Sequence, residues 1–391
     1  MENIKKLNKN FDKYNFILKC KDKFKYSNGK ENKVLFKCAF IIAILIFFIK
    51  ININKKFILY YHSKLSENLA KKNEINKQFI KNLKSLFKED EIIENAMMSK
   101  YTTFKIGGPA TYLVKPKSIS QIIELIKLCN NNKINYFILG NGSNLLVSDE
   151  GYYGVIIYIN EHNFSYLSTI KKNENIYILN VGAGMLMKKL SIEACLLSLT
   201  GLEDIIDIPG TIGGGIIMNA SFKGSGLSNV LKKVKAIKPD GNIIELTKEE
   251  CELRHRGSML KDKKYLIFEA IFELKKADQI IIQKTMTDNT KMRYEKQPMY
   301  FGSAGCFFIW NHDKYGSMYD KYKESNLVGY RIGNIMIYTY NIAFIINLGK
   351  GSANHVMDIV SYIEKIMKDK YNIEIQREVI VIGAFNNINY N

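Results

Sequence analysis

Apolar and polar positions change their rhythm at about Asn95. Beyond it, short apolar runs alternate with glycine turns and with segments whose apolar positions recur every three or four residues. Short runs predict strands and the longer recurrence predicts amphipathic helices. Ser118 or Ser120 can cap a helix whose apolar face uses Ile122, Ile123, Ile126 and Cys129, and Asn130–Asn132 end it. Tyr136–Leu139 predicts a buried strand running into Gly140. Further strands are predicted at Val155–Ile159, Ile176–Val181, Lys233–Lys238, Ile243–Leu246 and Tyr265–Leu274. A helix is predicted over Met185–Ser198 and a long polar one over Asp278–Lys296. A helix over Asn354–Lys370 and a strand over Glu374–Ile382 close the chain. Helices and strands mix without strict βαβ alternation, which argues an α+β fold rather than a doubly wound sheet.

The first 90 residues read differently. This segment carries 21 lysines, no arginine and 8 acids, so it holds +13 of the chain's formal net charge of +19. A nucleic-acid binder places basic residues, arginine among them, on its folded surface. An arginine-free leader argues against nucleic acid as a partner. Within it, Cys38–Ile49 is an unbroken apolar run flanked by Lys37 and Lys50. The run is shorter than the ~20 residues of a membrane span and matches the ~7–15 of a signal-type apolar region. Val34–Phe36 and Phe57–Tyr61 could lengthen an anchor. Residues 1–90 are therefore expected to serve organelle targeting or membrane anchoring, with possible membrane contact. A buried helix of a small extra domain and a cytoplasmic location are the alternatives. The six cysteines form no CxxC pair, so no metal site is expected.

Three glycine-rich stretches carry the candidate chemistry. Gly140-Asn141-Gly142-Ser143-Asn144 follows a predicted strand, and glycines let backbone N–H groups converge on a phosphate. The others are Pro209-Gly210-Thr211-Ile212-Gly213-Gly214-Gly215, leading to Asn219, and Thr102-Thr103-Phe104-Lys105-Ile106-Gly107-Gly108-Pro109. Neither of the first two is an ATP-type P-loop, and neither fits a dinucleotide GxGxxG. Three separated glycine turns suit a long diphosphate cofactor.

These stretches resemble the UDP-N-acetylenolpyruvoylglucosamine reductase (MurB) family. The resemblance rests on TTFKIGGPA (102–110), FILGNGSNLLVSDEG (137–151) and GLEDIIDIPGTIGGGIIMNA (201–220), followed by KQP (296–298), SAGCFF (303–308), GYRIG (329–333) and EVIVIG (378–383). It implies a two-lobed FAD-binding domain of the vanillyl-alcohol-oxidase type over 91–277 and a C-terminal α+β substrate-binding domain over 278–386. It also implies NADPH-dependent reduction of UDP-N-acetylglucosamine enolpyruvate to UDP-N-acetylmuramate, a peptidoglycan precursor, by a monomer. Candidate FAD contacts are Thr103, Ile106, Gly107, Gly108, Gly140, Asn141, Gly142, Ser143, Asn144, Pro209, Gly210, Gly213, Gly214 and Asn219. Arg256 matches the family arginine that polarises the substrate carboxylate, and its planar fork suits that task. Cys306 occupies the proton donor's position, where serine is commoner; a thiol is the stronger acid. Glu378 matches the carboxylate beside the enolate, Lys296 the lysine that meets the diphosphate, and Asn219 also faces the substrate.

The chain departs from the family pattern at His255, at Lys223, at Ile309-Trp310-Asn311 and over Ile337-Tyr338-Thr339-Tyr340-Asn341. These departures cluster on the substrate side. They leave open a flavin oxidoreductase with another substrate, or a non-catalytic FAD-binding protein.

Overall fold

The computed structural model describes residues 77–385. The apolar run 38–49 and its basic flanks lie outside the described residues, and with them the targeting and anchoring expectation. Among the described residues no helix is long and apolar enough to cross a membrane. Packing begins earlier than the leader boundary at residue 90 expected from charge. A helix over 77–86 buries Phe79 and Leu83, and Phe87 follows them into the core. Leu83 is fully buried. Leu83→Ala is therefore expected to cost about 2–5 kcal/mol, read as a lowered urea midpoint.

The first lobe is a four-stranded sheet in the order Ile92–Met97, Pro109–Val114, Tyr152–Tyr158, Tyr136–Leu139. Its first pair is antiparallel and the other two pairings are parallel. The helix Ile119–Asn131 makes the crossover between parallel strands, and its cap is Ser118, whose Oγ accepts from Gln121 N–H at 3.2 Å. Ile122, Leu125, Ile126, Leu128 and Cys129 form its buried face. The second lobe is antiparallel, in the order Ile243–Thr247, Leu231–Ile237, Leu266–Lys276, Ile176–Gly182, Leu167–Lys171, with Leu199–Thr200 pairing the end of the central strand. One apolar core, containing Ile122, Val181 and Ala270, runs through both lobes.

The third lobe carries an antiparallel sheet in the order Gly302–Cys306, Phe344–Asn347, Ile335–Ile337, Arg331–Ile332. Its core is built with the amphipathic helix Ala353–Tyr371, through Val356, Ile359, Val360 and Ile363. Phe104, Ile106 and Leu146 join this core from the N-terminal part of the chain. The expected strand Glu374–Ile382 is two short ones. Gln376–Arg377 pairs with Phe308–Ile309, whereas Ile380–Ile382 pairs in parallel with Leu145–Val147 of the first lobe. The tail thus ties the third lobe back to the first, across the domain boundary expected at 277/278.

The helix Gln279–Lys296 explains its own polar sequence. Its buried positions are Ile282, Asn289 and Arg293, spaced on one face. Asn289 Nδ2 donates to Asp204 Oδ1 at 2.8 Å and Thr290 Oγ1 to Asp207 Oδ2 at 2.6 Å. The face that docks on the second lobe is hydrogen-bonded rather than apolar.

Candidate active site

A cleft of about 1500 Å3 is lined from all three lobes. Strand Tyr136–Leu139 delivers Gly140–Asn144 to its wall, and the short helix Ile212–Ile217 brings Pro209–Gly215 opposite. The two loops touch. A Cβ on Gly140 would lie 2.5 Å from Thr211 Oγ1, and Thr211 Oγ1 itself caps the short helix by accepting from Gly214 N–H. Gly142 has φ +62°, and a Cβ there would stand 2.2 Å from the carbonyl oxygen of Tyr101.

Two further observations fit this wall to a diphosphate cofactor. The N–H groups of Asn141, Gly142 and Ser143 donate to no other group among the described residues. Asn144 Oδ1 is also buried without a hydrogen-bond partner; as an acceptor it would be satisfied by a hydroxyl or N–H donor elsewhere on the cofactor, not by the phosphates. Gly142→Ala would introduce local strain of about 1–3 kcal/mol. The purified variant is expected to hold FAD roughly 5- to 150-fold more weakly, read as a fall in flavin absorbance per protein with unchanged circular dichroism.

The catalytic candidates meet in the same cleft. Arg256 sits in a two-residue turn closed by Arg254 N–H to Gly257 O (3.0 Å) and Gly257 N–H to Arg254 O (3.1 Å). Its φ is +57°, a left-handed conformation that costs an L side chain about 1–3 kcal/mol. Asn219 Nδ2 donates to Arg254 O at 3.1 Å and so braces this turn. Arg256 Nε lies 3.1 Å from Glu378 Oε1, with both side chains largely buried.

Glu378 is stitched between two lobes. Its N–H donates to Phe307 O at 2.9 Å, and its own carbonyl accepts from Asn144 Nδ2 at 3.1 Å. The first bond sets it beside Cys306, at the irregular end of the strand Gly302–Cys306. Burial raises the Glu378 carboxyl above the ordinary carboxylate range, opposed by Arg256 and Lys261. Burial, reinforced by Glu378, also pushes the Cys306 thiol up to about 11, with Arg256 and Arg293 pulling the other way. The thiol therefore keeps its proton at neutral pH.

The structure does not bring every expected residue to the cleft. Thr103, Gly140–Asn144, Pro209, Gly210, Gly213, Gly214, Arg256, Cys306 and Glu378 line it. Ile106, Gly107 and Gly108 do not. Ile106 is core, a Cβ on Gly107 would meet Val147, and one on Gly108 would meet the Asp149 backbone. Those two glycines serve close packing. Asn219 supports the Arg256 turn instead of facing a ligand. Lys296 is exposed outside the lining, and its carbonyl accepts from Asn341 Nδ2 at 3.0 Å.

Sequence reasoning missed Arg293, one helical turn before Lys296. It is only 6% exposed, lines the cleft, and stacks its Cζ 5.2 Å from the Phe222 ring centre. Its Nε has no hydrogen-bond partner, and burial lowers its pKa. Lys223 also lines the cleft, with Nζ donating to Asn289 Oδ1 at 2.9 Å. An arginine within a polar helix gives no periodic signal by which to find it.

Comparison with known proteins agrees with this geometry. Residues 110–247 match the family described as "FAD binding domain", and residues 297–382 match "UDP-N-acetylenolpyruvoylglucosamine reductase, C-terminal domain". UDP-N-acetylenolpyruvoylglucosamine reductase of Clostridium novyi is 36% identical over 303 residues, 78% of this chain and 96% of that protein. The chain belongs to the UDP-N-acetylenolpyruvoylglucosamine reductase family. The Clostridium perfringens (strain SM101) protein of the same name is 35% identical over 306 residues, 78% of this chain and 98% of its own length. The solved structure of the reductase (MurB) from Thermus caldophilus superposes with a TM-score of 0.60 at 28% identity, covering 73% of this chain and 97% of that one. The reductase family thus accounts for the described fold, its FAD-binding part and its C-terminal part.

Proposed function

We propose that the chain reduces UDP-N-acetylglucosamine enolpyruvate to UDP-N-acetylmuramate at the expense of NADPH. The observation that carries this reading is the convergence of Arg256, Cys306 and Glu378 on the cleft whose glycine loops fit FAD. FAD bound there supplies, from NADPH, the hydride for the vinyl group. The N–H groups of Asn141, Gly142 and Ser143 would meet its phosphates, with the loop Pro209–Gly215 forming the opposite wall.

The chain's own groups then handle charge and proton. Arg256 presents its guanidinium to the substrate carboxylate, on which negative charge grows as the double bond is reduced. Its left-handed turn and its contact with Glu378 fix the direction of that fork before substrate arrives. Cys306 gives its proton to the carbon beside the carboxylate. Hydride and proton together account for the two electrons and two hydrogens added across the bond. Glu378 holds Arg256 in place and restricts ionisation of the neighbouring thiol. Arg293 adds a second buried guanidinium for an anionic ligand.

Full-length protein purified with FAD provides the test. It is expected to bleach with NADPH and to regain its colour on addition of the enolpyruvyl sugar nucleotide. Bleaching without that recovery would instead support the reading of a flavin oxidoreductase with another substrate. Lys223 in the cleft wall, one of the departures from the family pattern, favours that second reading. A chain that never bleaches would leave a non-catalytic FAD-binding protein. The basic leader ahead of this core is read as a delivery or anchoring segment. Recovery of a tagged full-length chain wholly in the soluble fraction would remove that reading.

A further inference from the structure

Two aromatic side chains that the proposed chemistry leaves unused stand in the cleft lining, and further rings pack against them from outside it. Tyr300 and Phe301 line it, yet they are 84% and 41% exposed. The Tyr294 and Tyr300 rings meet edge to face at 6.1 Å. Phe301 lies 6.2 Å from Tyr338, which lies 5.6 Å from Tyr340, itself 85% exposed. The two segments are fastened together where Asn341 Nδ2 donates to the carbonyl of Lys296, at the start of the loop carrying Tyr300 and Phe301.

Exposed aromatics scattered singly are ordinary on a soluble surface, whereas a cluster continuous with a ligand cleft marks recognition. Tyr294, Tyr300, Phe301 and Tyr340 are exposed, and the tyrosine hydroxyls give these rings a polar edge. A planar ring with a polar rim matches that environment: its face stacks while its edge stays solvated. A nucleobase has this form, and both ligands of the proposed reaction are nucleotides. Tyr338 and Tyr340 belong to the stretch Ile337-Tyr338-Thr339-Tyr340-Asn341 singled out in the sequence.

We propose that the cluster of Tyr294, Tyr300, Phe301, Tyr338 and Tyr340 stacks the base of a nucleotide ligand at the cleft mouth. The proposal rests on the proposed function only in taking its ligands to be nucleotides. The base belongs either to the uridine of the sugar nucleotide or to the adenine of NADPH.

Thermal midpoints of the full-length protein, titrated with UMP, AMP and ribose 5-phosphate, distinguish these. One nucleotide is expected to bind at least about tenfold tighter than ribose 5-phosphate, the size of one base–aromatic stack. A preference for UMP identifies the uridine, and a preference for AMP identifies the adenine. Tyr300→Ala combined with Tyr340→Ala should reduce the advantage to twofold or less, while the paired Tyr→Phe variant retains it. Both residues are exposed, so these changes leave the core intact. Equal binding of all three probes, or an advantage that survives the paired alanines, overturns the proposal. So does an alanine pair whose only effect is a changed oligomeric mass, which would mark a protein contact. Loss of turnover with the enolpyruvyl sugar nucleotide but a preserved base preference would instead overturn only the proposed function.

Discussion

Cys306→Ala protein is expected to bleach with NADPH as fast as the unaltered protein, then to remain bleached when the enolpyruvyl sugar nucleotide is added. In the proposed mechanism the thiol is needed only after hydride has reached the substrate, so the two half-reactions should separate. General acids at a reacting carbon contribute about 10²–10⁴-fold, and the second half-reaction should fall by that amount. Rapid-mixing absorbance at the flavin band reads both steps. Cys306→Ser is expected to recover measurable turnover, since a hydroxyl can also donate. The pH profile adds a sign. A thiol with its pKa pushed up to about 11 is protonated at and below neutral pH and loses its proton as pH rises through that value. Reoxidation should therefore decline on approach to pH 11 in the unaltered protein, and Cys306→Ser should lack that limb. Unchanged reoxidation in Cys306→Ala would remove the thiol from the mechanism.

Arg256→Gln is expected to be the next most damaging change. Removing one preorganised donor from a developing anion costs about 10²–10³-fold in turnover. Here the same change also strips Glu378 of its contact at 3.1 Å. Breaking a buried pair from one side costs about 3–5 kcal/mol. The partial exposure of both side chains places this pair below that range, because solvent screens it. Arg256 holds the Glu378 carboxyl down against burial, so its loss should raise that carboxyl further. If turnover needs ionised Glu378, the acid limb of the pH–rate profile moves to higher pH in Arg256→Gln. Arg256→Lys keeps the charge but not the planar fork, and should restore the limb better than the rate. A profile that does not move in either variant would separate Glu378 from Arg256 functionally.

The extent to which the chain could be read in advance follows from which interactions are local. Tyr136–Leu139 is the predicted strand residue for residue, and Ser118 caps the predicted helix, because a short apolar run ending in glycine and a side-chain cap are both local signals. The glycine loop Gly140–Asn144, which lines the cleft, was legible for the same reason. Glycines in a tight turn after a strand mark themselves. Lys296 and Asn219 were expected at the ligand, but the structure turns one away and makes the other a brace for Arg256. Whether a polar side chain faces a cleft depends on neighbours distant in sequence, and spacing carries no record of them. Gly107 and Gly108 show the converse error. Both allow close approach, but of backbone and side chains rather than phosphate.

By itself, the sequence determined the α+β class, most helices and strands, the glycine turns and, through resemblance, the identity of Arg256, Cys306 and Glu378. Only the tertiary structure decided that these three share one cleft. The decisive contacts are Glu378 with Phe307 and Asn144, and Ile380–Ile382 with Leu145–Val147, all between segments far apart in the chain. Arg293 became visible in the same way, because a buried cation in a polar helix is defined by what it docks against. Local patterns record backbone preference and periodic burial, whereas convergence depends on long-range hydrogen bonds and on charges brought out of water together.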